Sequence, residues 1–154
     1  MKIFIENEAG SDQKNLYHEK TLEYRKTVTV SREYPYPYGF MLNTTSGDGD
    51  NVDVFVITDK KLKQGQIVEC EPVGLMEQLE KSWAESKREI EETDHNVLAV
   101  PKGEEQNIVD EEVKARLTAF VLHVFDHVRK NKTRVGDFLD KKTALQYIEK
   151  CKDK

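Results

Sequence analysis

Apolar and polar positions alternate with a period of two in the first half of the chain and more nearly with a helical period in the second. KIFI (2–5) and TLEYRKTVTV (21–30) are rich in β-branched residues and read as strands. YPYPYGFML (34–42) runs extended through two prolines into the apolar GFML. VDVFVIT (52–58) alternates strictly, with Val52, Val54 and Val56 on one face and Asp53, Phe55 and Ile57 on the other. Gly65 marks a turn, and QIVECEPVGLM (66–76) and NVLAVP (96–101) read as two further strands.

Residues 76–92, MEQLEKSWAESKREIEE, place Met76, Leu79, Trp83 and Ile90 on a narrow stripe that predicts a helix. A second helix is expected from Asp110 to Arg129, burying Val113, Leu117, Phe120, Val121, Val124 and Val128, with acidic residues at its start and basic ones at its end. A last helix covers about 140–150, with Ala144, Leu145 and Ile148 inward. Strands early and helices late imply an α+β fold, a closed or nearly closed antiparallel barrel with helices outside.

Length narrows this to a single domain, 1–154. The composition, 37% hydrophobic and 34% charged, fits a globular chain with a solvated surface, and no apolar run is long enough to span a membrane. MKIFIENEAGSDQK lacks the pattern of a signal peptide. Cys70 and Cys151 are too few for a disulfide framework or a zinc site, so a cytoplasmic location is expected. A net charge of −5 argues against nucleic-acid and membrane partners, which demand a basic face.

Charge becomes chemistry in SGDGDNVDVFV (46–56), where Asp48, Asp50 and Asp53 crowd the start of a strand. At a surface-like dielectric two carboxylates ~4 Å apart repel by about 4 kcal/mol. A solvated Asp/Gly turn accounts for Asp48 and Asp50. It does not account for Asp53, on the face of Phe55 and Ile57, where a carboxylate needs a cation or several donors. A calcium loop starting at Asp48 fails, because Val52 and Asp53 stand where an oxygen ligand and a glycine are required. An all-oxygen donor set points to Mg²⁺, with Mn²⁺ as the alternative. Lys14, Arg25, Lys26 and Arg32 supply positive charge nearby, and Tyr34, Tyr36 and Tyr38 alternate so that all three can share a face. Metal-assisted chemistry on a phosphate is the expectation.

YPYPYGF followed by DGDNVDVFV resembles the signature of the soluble family I inorganic pyrophosphatases, with Tyr34, Pro35, Tyr38, Gly39, Asp48, Gly49, Asp50 and Asp53 in register. IENEAGSDQK is similar to that family's E-x-P-x-G-S-x-x-K segment, GQIVECEPVGLM and DHNVLAVP to its next two strands, and HVFDHVRK to its helix. The resemblance implies an OB-like, five-stranded closed barrel and Mg²⁺-dependent hydrolysis of pyrophosphate to two phosphates by metal-activated water. It implies that Asp48, Asp53 and Asp94 are metal ligands and that Glu6 holds a further metal through water. Asp50 would accept the proton of the attacking water, and Lys14 and Tyr38 would bind phosphate. It also implies a homo-oligomer, hexamer or dimer.

Several positions depart from that pattern. Leu16 stands where the family has a glutamate, Lys26 (with Arg25 adjacent) where it has the substrate arginine, and Asn96 where it has a lysine. Val128 and Arg129 replace a Tyr-Lys pair that grips phosphate, and residues 76–93 replace a short acidic loop. Glu89, five residues before Asp94, is a candidate replacement ligand, and His95 is expected at the surface. The metal core is kept while the phosphate clamp is eroded. A relative acting on another phosphoanhydride, or a non-catalytic metal- and phosphate-binding module, therefore stands beside the pyrophosphatase reading. Because one arginine can grip phosphate bidentately, Arg129→Ala is expected to raise KM and lower kcat/KM by roughly tenfold, about 1.4 kcal/mol. Unchanged kinetics would remove Arg129 from the clamp.

Overall fold

The computed structural model describes the backbone of residues 1–83, 89–128 and 132–154, and the side chains of 1–79, 94–128 and 133–154. Arg129 therefore lies outside the described residues, as does the side chain of Glu89. In chain order the elements are β1 (Lys2–Asn7), β2 (Gln13–His18), β3 (Glu23–Thr29), β4 (Tyr38–Met41), β5 (Asp53–Val56) and β6 (Ile67–Trp83). There follow β7 (Glu89–Thr93), β8 (Asn96–Pro101), α1 (Glu111–His123), β9 (Lys132–Leu139) and α2 (Lys141–Cys151).

The five strands β1, β4, β5, β8 and β6 pair in that order, and β6 returns to β1, so the sheet closes into a ring. Closure is the reason the alternation in these strands is sharp: one face points into the ring and the other outward. Ile3, Ile5, Val54, Val56, Val97 and Ala99 fill the interior, and Ala144, Ile148 and Cys151 of α2 pack against the same cluster. Outside, Phe55, Leu98, Val100 and Met76 lie under Val113, Leu117, Phe120 and Val121 of α1. The OB-like α+β architecture expected from the sequence is present. The ring is antiparallel at four joints, but β5 and β8 run parallel, with Asp53 opposite Asn96.

The helix expected over 76–92 is absent. Residues 76–83 extend β6 and 89–92 belong to β7, which pairs back on β6 from Leu79↔Thr93 to Trp83↔Glu89. The other edge of β6 takes β9, from Leu75↔Leu139 to Lys81↔Lys132. Partners on both edges satisfy the backbone of this segment, and a weak helical stripe cannot compete with them. No apolar periodicity marks β9 or β2, the strand that carries Lys14.

α1 begins as expected, its N-cap Asp110 accepting from the Val113 N–H at 2.9 Å. It stops at His123 rather than running to residue 129. Its last carbonyls are taken up by turns: Asp126 N–H reaches His123 O at 3.1 Å, Val128 N–H reaches Phe125 O at 2.8 Å, and Ser31 N–H caps Val124 O at 2.9 Å. α2 runs close to its expected bounds behind its N-cap, Asp140. No helix among the described residues is long and apolar enough to cross a membrane.

Gly39 shows how tightly the ring is closed. It lies between Ile5 of β1 and Val54 of β5, and a Cβ there would fall 1.8 Å from the carbonyl oxygen of Phe4. Backbone, not a mobile side chain, is in the way. Gly39→Ala is expected to destabilise the protein by about 1–3 kcal/mol or more, read as a lower urea midpoint. A wild-type midpoint would mean that β1 and β4 do not approach this closely.

Candidate active site

One cavity of about 390 Å³ opens where the ends of β1, β4, β5 and β8 meet the β2–β3 hairpin and the C-terminal part of α1. Among the described residues, six carboxylates line it (Glu6, Glu19, Asp48, Asp50, Asp53 and Asp94) against two cations, Lys14 and Arg25. The apolar wall is Phe55, Phe120, Val121 and Val124.

The parallel β5–β8 pairing explains the centre of the site. Asp53 opens β5 and Asp94 precedes β8 by two residues, so parallel strands bring both to one end of the sheet. The two carboxyls are buried close electrostatic neighbours, an arrangement that disfavours two charges on the pair. Burial and the neighbouring Asp94 push Asp53 well above the ordinary carboxylate range, and burial also raises Asp94.

Tyr38 opens β4 and tilts over Phe55 with ring centroids 4.9 Å apart. Burial, then Asp53, keeps its hydroxyl protonated well beyond the usual phenol range, so it remains a donor. Tyr34 stands beside it, its ring 5.5 Å from that of Tyr38 and 4.5 Å from Phe120. Lys14 reaches in from β2, its Nζ 5.5 Å from the Tyr38 ring and 5.8 Å from Phe125. Burial opposes its charge, but Tyr34, Glu6 and Asp53 outweigh burial and hold it protonated.

The loop between β4 and β5 carries Asp48 and Asp50 on the rim. Asp48 Oδ1 accepts from Ser46 Oγ at 2.5 Å and from Asp50 N–H at 2.9 Å, and Gly49 adopts φ 90°. SGDGDN is an Asx-type turn, and its carboxylates face the cavity. Glu6, at the end of β1, is buried; desolvation pushes it up to about 8, against the pull of Lys14. Glu19 is pushed up to about 7, by burial first and then by Asp50.

Of the residues expected from the sequence, Glu6, Lys14, Tyr38, Asp48, Asp50, Asp53 and Asp94 share this one cavity. Lys26 does not line it; it is exposed on β3. Register explains the exchange with Arg25. Leu16 faces Lys26 and Tyr17 faces Tyr24, so a β-bulge leaves Arg25 unpaired, and Arg25 lines the cavity. Tyr36 does not share the face of Tyr34 and Tyr38; its hydroxyl accepts from Arg116 Nη1 at 3.3 Å elsewhere on the molecule. His95 is half-buried rather than at the surface, its Nδ1 accepting from Gln78 N–H at 3.2 Å. Glu19 and Tyr34 also join the wall; no motif pointed to Glu19, whereas Tyr34 was legible in YPYPY.

Among the described residues no three acidic side chains converge on a single point. The donor set nevertheless suits a hard divalent cation: it is all oxygen and in carboxylate excess, and burial beside Asp94 raises Asp53, a cost that a bound cation would relieve.

A family model described as inorganic pyrophosphatase matches residues 3–154. An inorganic pyrophosphatase of Nanoarchaeum equitans is 28% identical over 159 residues, covering 97% of this chain and 94% of that protein. One of Saccharolobus solfataricus is 28% identical over 136 residues, covering 84% and 74%. Among solved structures, an inorganic pyrophosphatase from Thermus thermophilus superposes with a TM-score of 0.82 at 25% identity, covering 98% of this chain and 88% of that one. One from Coxiella burnetii superposes with a TM-score of 0.81 at 23% identity, covering 98% and 92%, a likeness of fold.

The raised carboxyls make stability depend on pH in a definite direction. Glu6 and Glu19 bind protons more tightly folded than unfolded, where each has its ordinary value of 4.5. The stability they contribute is full below 4.5 and is lost as pH rises through about 7 for Glu19 and about 8 for Glu6. In EDTA the Tm is therefore expected to fall across that window, and millimolar Mg²⁺ is expected to flatten the fall. A Tm in EDTA that rises from pH 4.5 to 8 would contradict this electrostatic picture.

Proposed function

This chain belongs to the inorganic pyrophosphatase family, and we propose that its hydrolysis of pyrophosphate to two phosphates runs in the carboxylate cavity, with Mg²⁺ held by Asp53, Asp94 and Asp48. The observation behind this assignment is the pair Asp53–Asp94, brought to one end of the parallel β5–β8 pairing in the same cavity as Asp48 and Lys14. Pyrophosphate is a small polyanion with no apolar handle, so six carboxylates facing two cations would repel it. Bound Mg²⁺ supplies the missing positive charge and lowers the pKa of water at the site.

The residues of the chain then divide the work. Lys14 and Tyr38 bind phosphate oxygens, one as a charge and the other as a neutral donor. Tyr34, in the same cavity wall, offers a second phenol beside Lys14 and Tyr38. Asp50, exposed on the rim and free of the Asp53–Asp94 pair, accepts the proton of the attacking water. Glu6 supports a further cation through water. Arg25 takes the phosphate-facing place that ungapped register gave to Lys26, because the bulge turns it into the cavity. Phosphoryl transfer of this kind rests on positioning and charge neutralisation rather than on a covalent intermediate. Arg129 of the eroded clamp is kept as a proposed phosphate contact, and Mn²⁺ as a proposed substitute for Mg²⁺. A cytoplasmic homo-oligomer, dimer or hexamer, is also proposed; the exposed Leu122 and Leu145 on α1 and α2 support an interface.

Asp53→Ala is expected to lower kcat/KM for Mg²⁺-dependent pyrophosphate hydrolysis on the order of 10³-fold, about 4 kcal/mol. The same change should leave the Tm in EDTA equal or raised, since it removes a buried carboxyl whose charge burial disfavours. Phosphate release is measured from pyrophosphate and from a nucleoside triphosphate, with Mg²⁺ and with EDTA. Preference for the triphosphate would favour another phosphoanhydride, and near-normal turnover by Asp53→Ala would sink the metal assignment.

A further inference from the structure

Lys14 and Tyr38 belong to different sheets, yet the chemistry above needs both at one phosphate. Tyr38 is on β4 of the barrel, whereas Lys14 is on β2, which pairs with β3 in a separate two-stranded sheet. Side chains therefore fasten the hairpin to the barrel. At its tip, Glu19 Oε1 accepts from Asn51 N–H at 3.0 Å and Lys20 Nζ donates to Thr44 O at 2.7 Å. Beside Lys14 itself, the fastening is a buried pair of amides, Asn7 and Asn15.

Asn15 engages its backbone and both ends of its side chain. Its N–H donates to Asn7 Oδ1 at 2.6 Å, its Nδ2 donates to Glu6 O at 2.9 Å, and its Oδ1 accepts from Thr27 Oγ1 at 2.6 Å. The Thr27 hydroxyl gives its one proton to Asn15, so Tyr24 is the donor in its 2.5 Å contact with Thr27. The donors thus run one way, from Tyr24 through Thr27 to Asn15, and hold the Asn15 amide with Nδ2 toward β1. Asn7 is fully buried at the end of β1, the register partner of Tyr38, just past an irregularity in the β1–β4 pairing. Its Nδ2 is buried without a partner, which is destabilising, so what the side chain contributes is its acceptor. An aspartate would offer the same acceptor without an orphaned donor, but it would add a negative charge next to Glu6.

We propose that Asn15 and Asn7 are positioning residues for phosphate binding, an amide clamp that fastens β2 to the end of β1 and so sets Lys14 against Tyr38. One asparagine adjoins Lys14 in the chain and the other lies opposite Tyr38 in the ladder, so their bond joins the backbones that carry the two groups. Neither amide lines the cavity, and the clamp acts through Lys14 and Tyr38 rather than on the substrate. It rests on the roles proposed above for those two residues, but phosphate affinity measures it without turnover.

The test compares wild type, Asn15→Ala and Thr27→Val, each also in a Lys14→Ala background. Pyrophosphate kinetics in saturating Mg²⁺, calorimetric affinity for inorganic phosphate in Mg²⁺, and Tm are measured. Thr27 is exposed and valine is its isostere, so Thr27→Val keeps the fold while releasing the Asn15 amide. Asn15→Ala is expected to raise KM and the phosphate Kd about tenfold, as displacement of a binding group would, with a smaller change in kcat. Thr27→Val should raise both by about two- to fivefold, the size of one neutral hydrogen bond, at wild-type Tm. In the Lys14→Ala background both substitutions should leave KM and Kd unchanged, because residues that act through one another do not add. Loosened structure alone would lower Tm and kcat and leave KM and Kd as they are. Wild-type KM and Kd in both single variants, or the same fold-change with and without Lys14, would overturn the inference and leave the proposed function standing. A wild type without pyrophosphate hydrolysis, but with the phosphate Kd raised in both variants, would overturn the function and leave the clamp.

Discussion

Mutual repulsion among carboxylates held by a closed sheet is the constraint around which this molecule is arranged. Asp53 and Asp94 cannot drift apart, because β5 and β8 are hydrogen-bonded neighbours in a ring that has no free edge between them. Nor can both be ionised at contact without a counter-charge. The pair must therefore hold a proton or a cation, and the rest of the cavity is arranged to make the exchange favourable. Tyr38 stays neutral, Lys14 stays charged, and the apolar wall under α1 limits the water that would otherwise screen them.

The barrel bears this electrostatic cost because its core is separate from it. Strict alternation sends Val54 and Val56 to the interior with α2, while Asp53 and Phe55 face out beneath α1. The charged site thus rides on the outer face of strands whose inner face is wholly apolar. Close backbone approach at Gly39 keeps β1 against β4, which carries Tyr38. Rigid strands hold the central pair, and the turn-built loop with Asp48 and Asp50, latched by the β2–β3 hairpin, supplies the outer carboxylates. A site that exchanges protons for cations gains from such a division: the centre is preorganised and the rim can adjust.

Much of this was legible in the residues. The alternation of VDVFVIT predicted the two faces of β5, and the anomaly of an aspartate on the face of Phe55 and Ile57 located the site. The acidic start at Asp110 marked the beginning of α1, and apolar spacing marked α2, because these signals are local. Local signals misled where pairing is remote. Residues 76–83 looked helical and became strand because β7 and β9 satisfy their backbone on both edges. The tyrosines of YPYPY alternate on paper, yet Tyr36 turns away to Arg116.

The chain by itself determined the chemistry: which residues can bear charge, which faces are apolar, where turns and caps must fall, and that hard oxygen donors cluster beside phosphate-binding types. Those properties belong to single residues and their near neighbours, so they survive in one dimension. Only the tertiary structure decided which charges meet. Asp53 and Asp94 are brought together by a parallel pairing across 40 intervening positions. Arg25 enters in place of Lys26 because of one bulge, and Glu19 reaches Asn51 because a hairpin folds over a distant loop. Each of these is a through-space contact fixed by strand register and loop closure, and register is set by the whole ring rather than by the residues that meet.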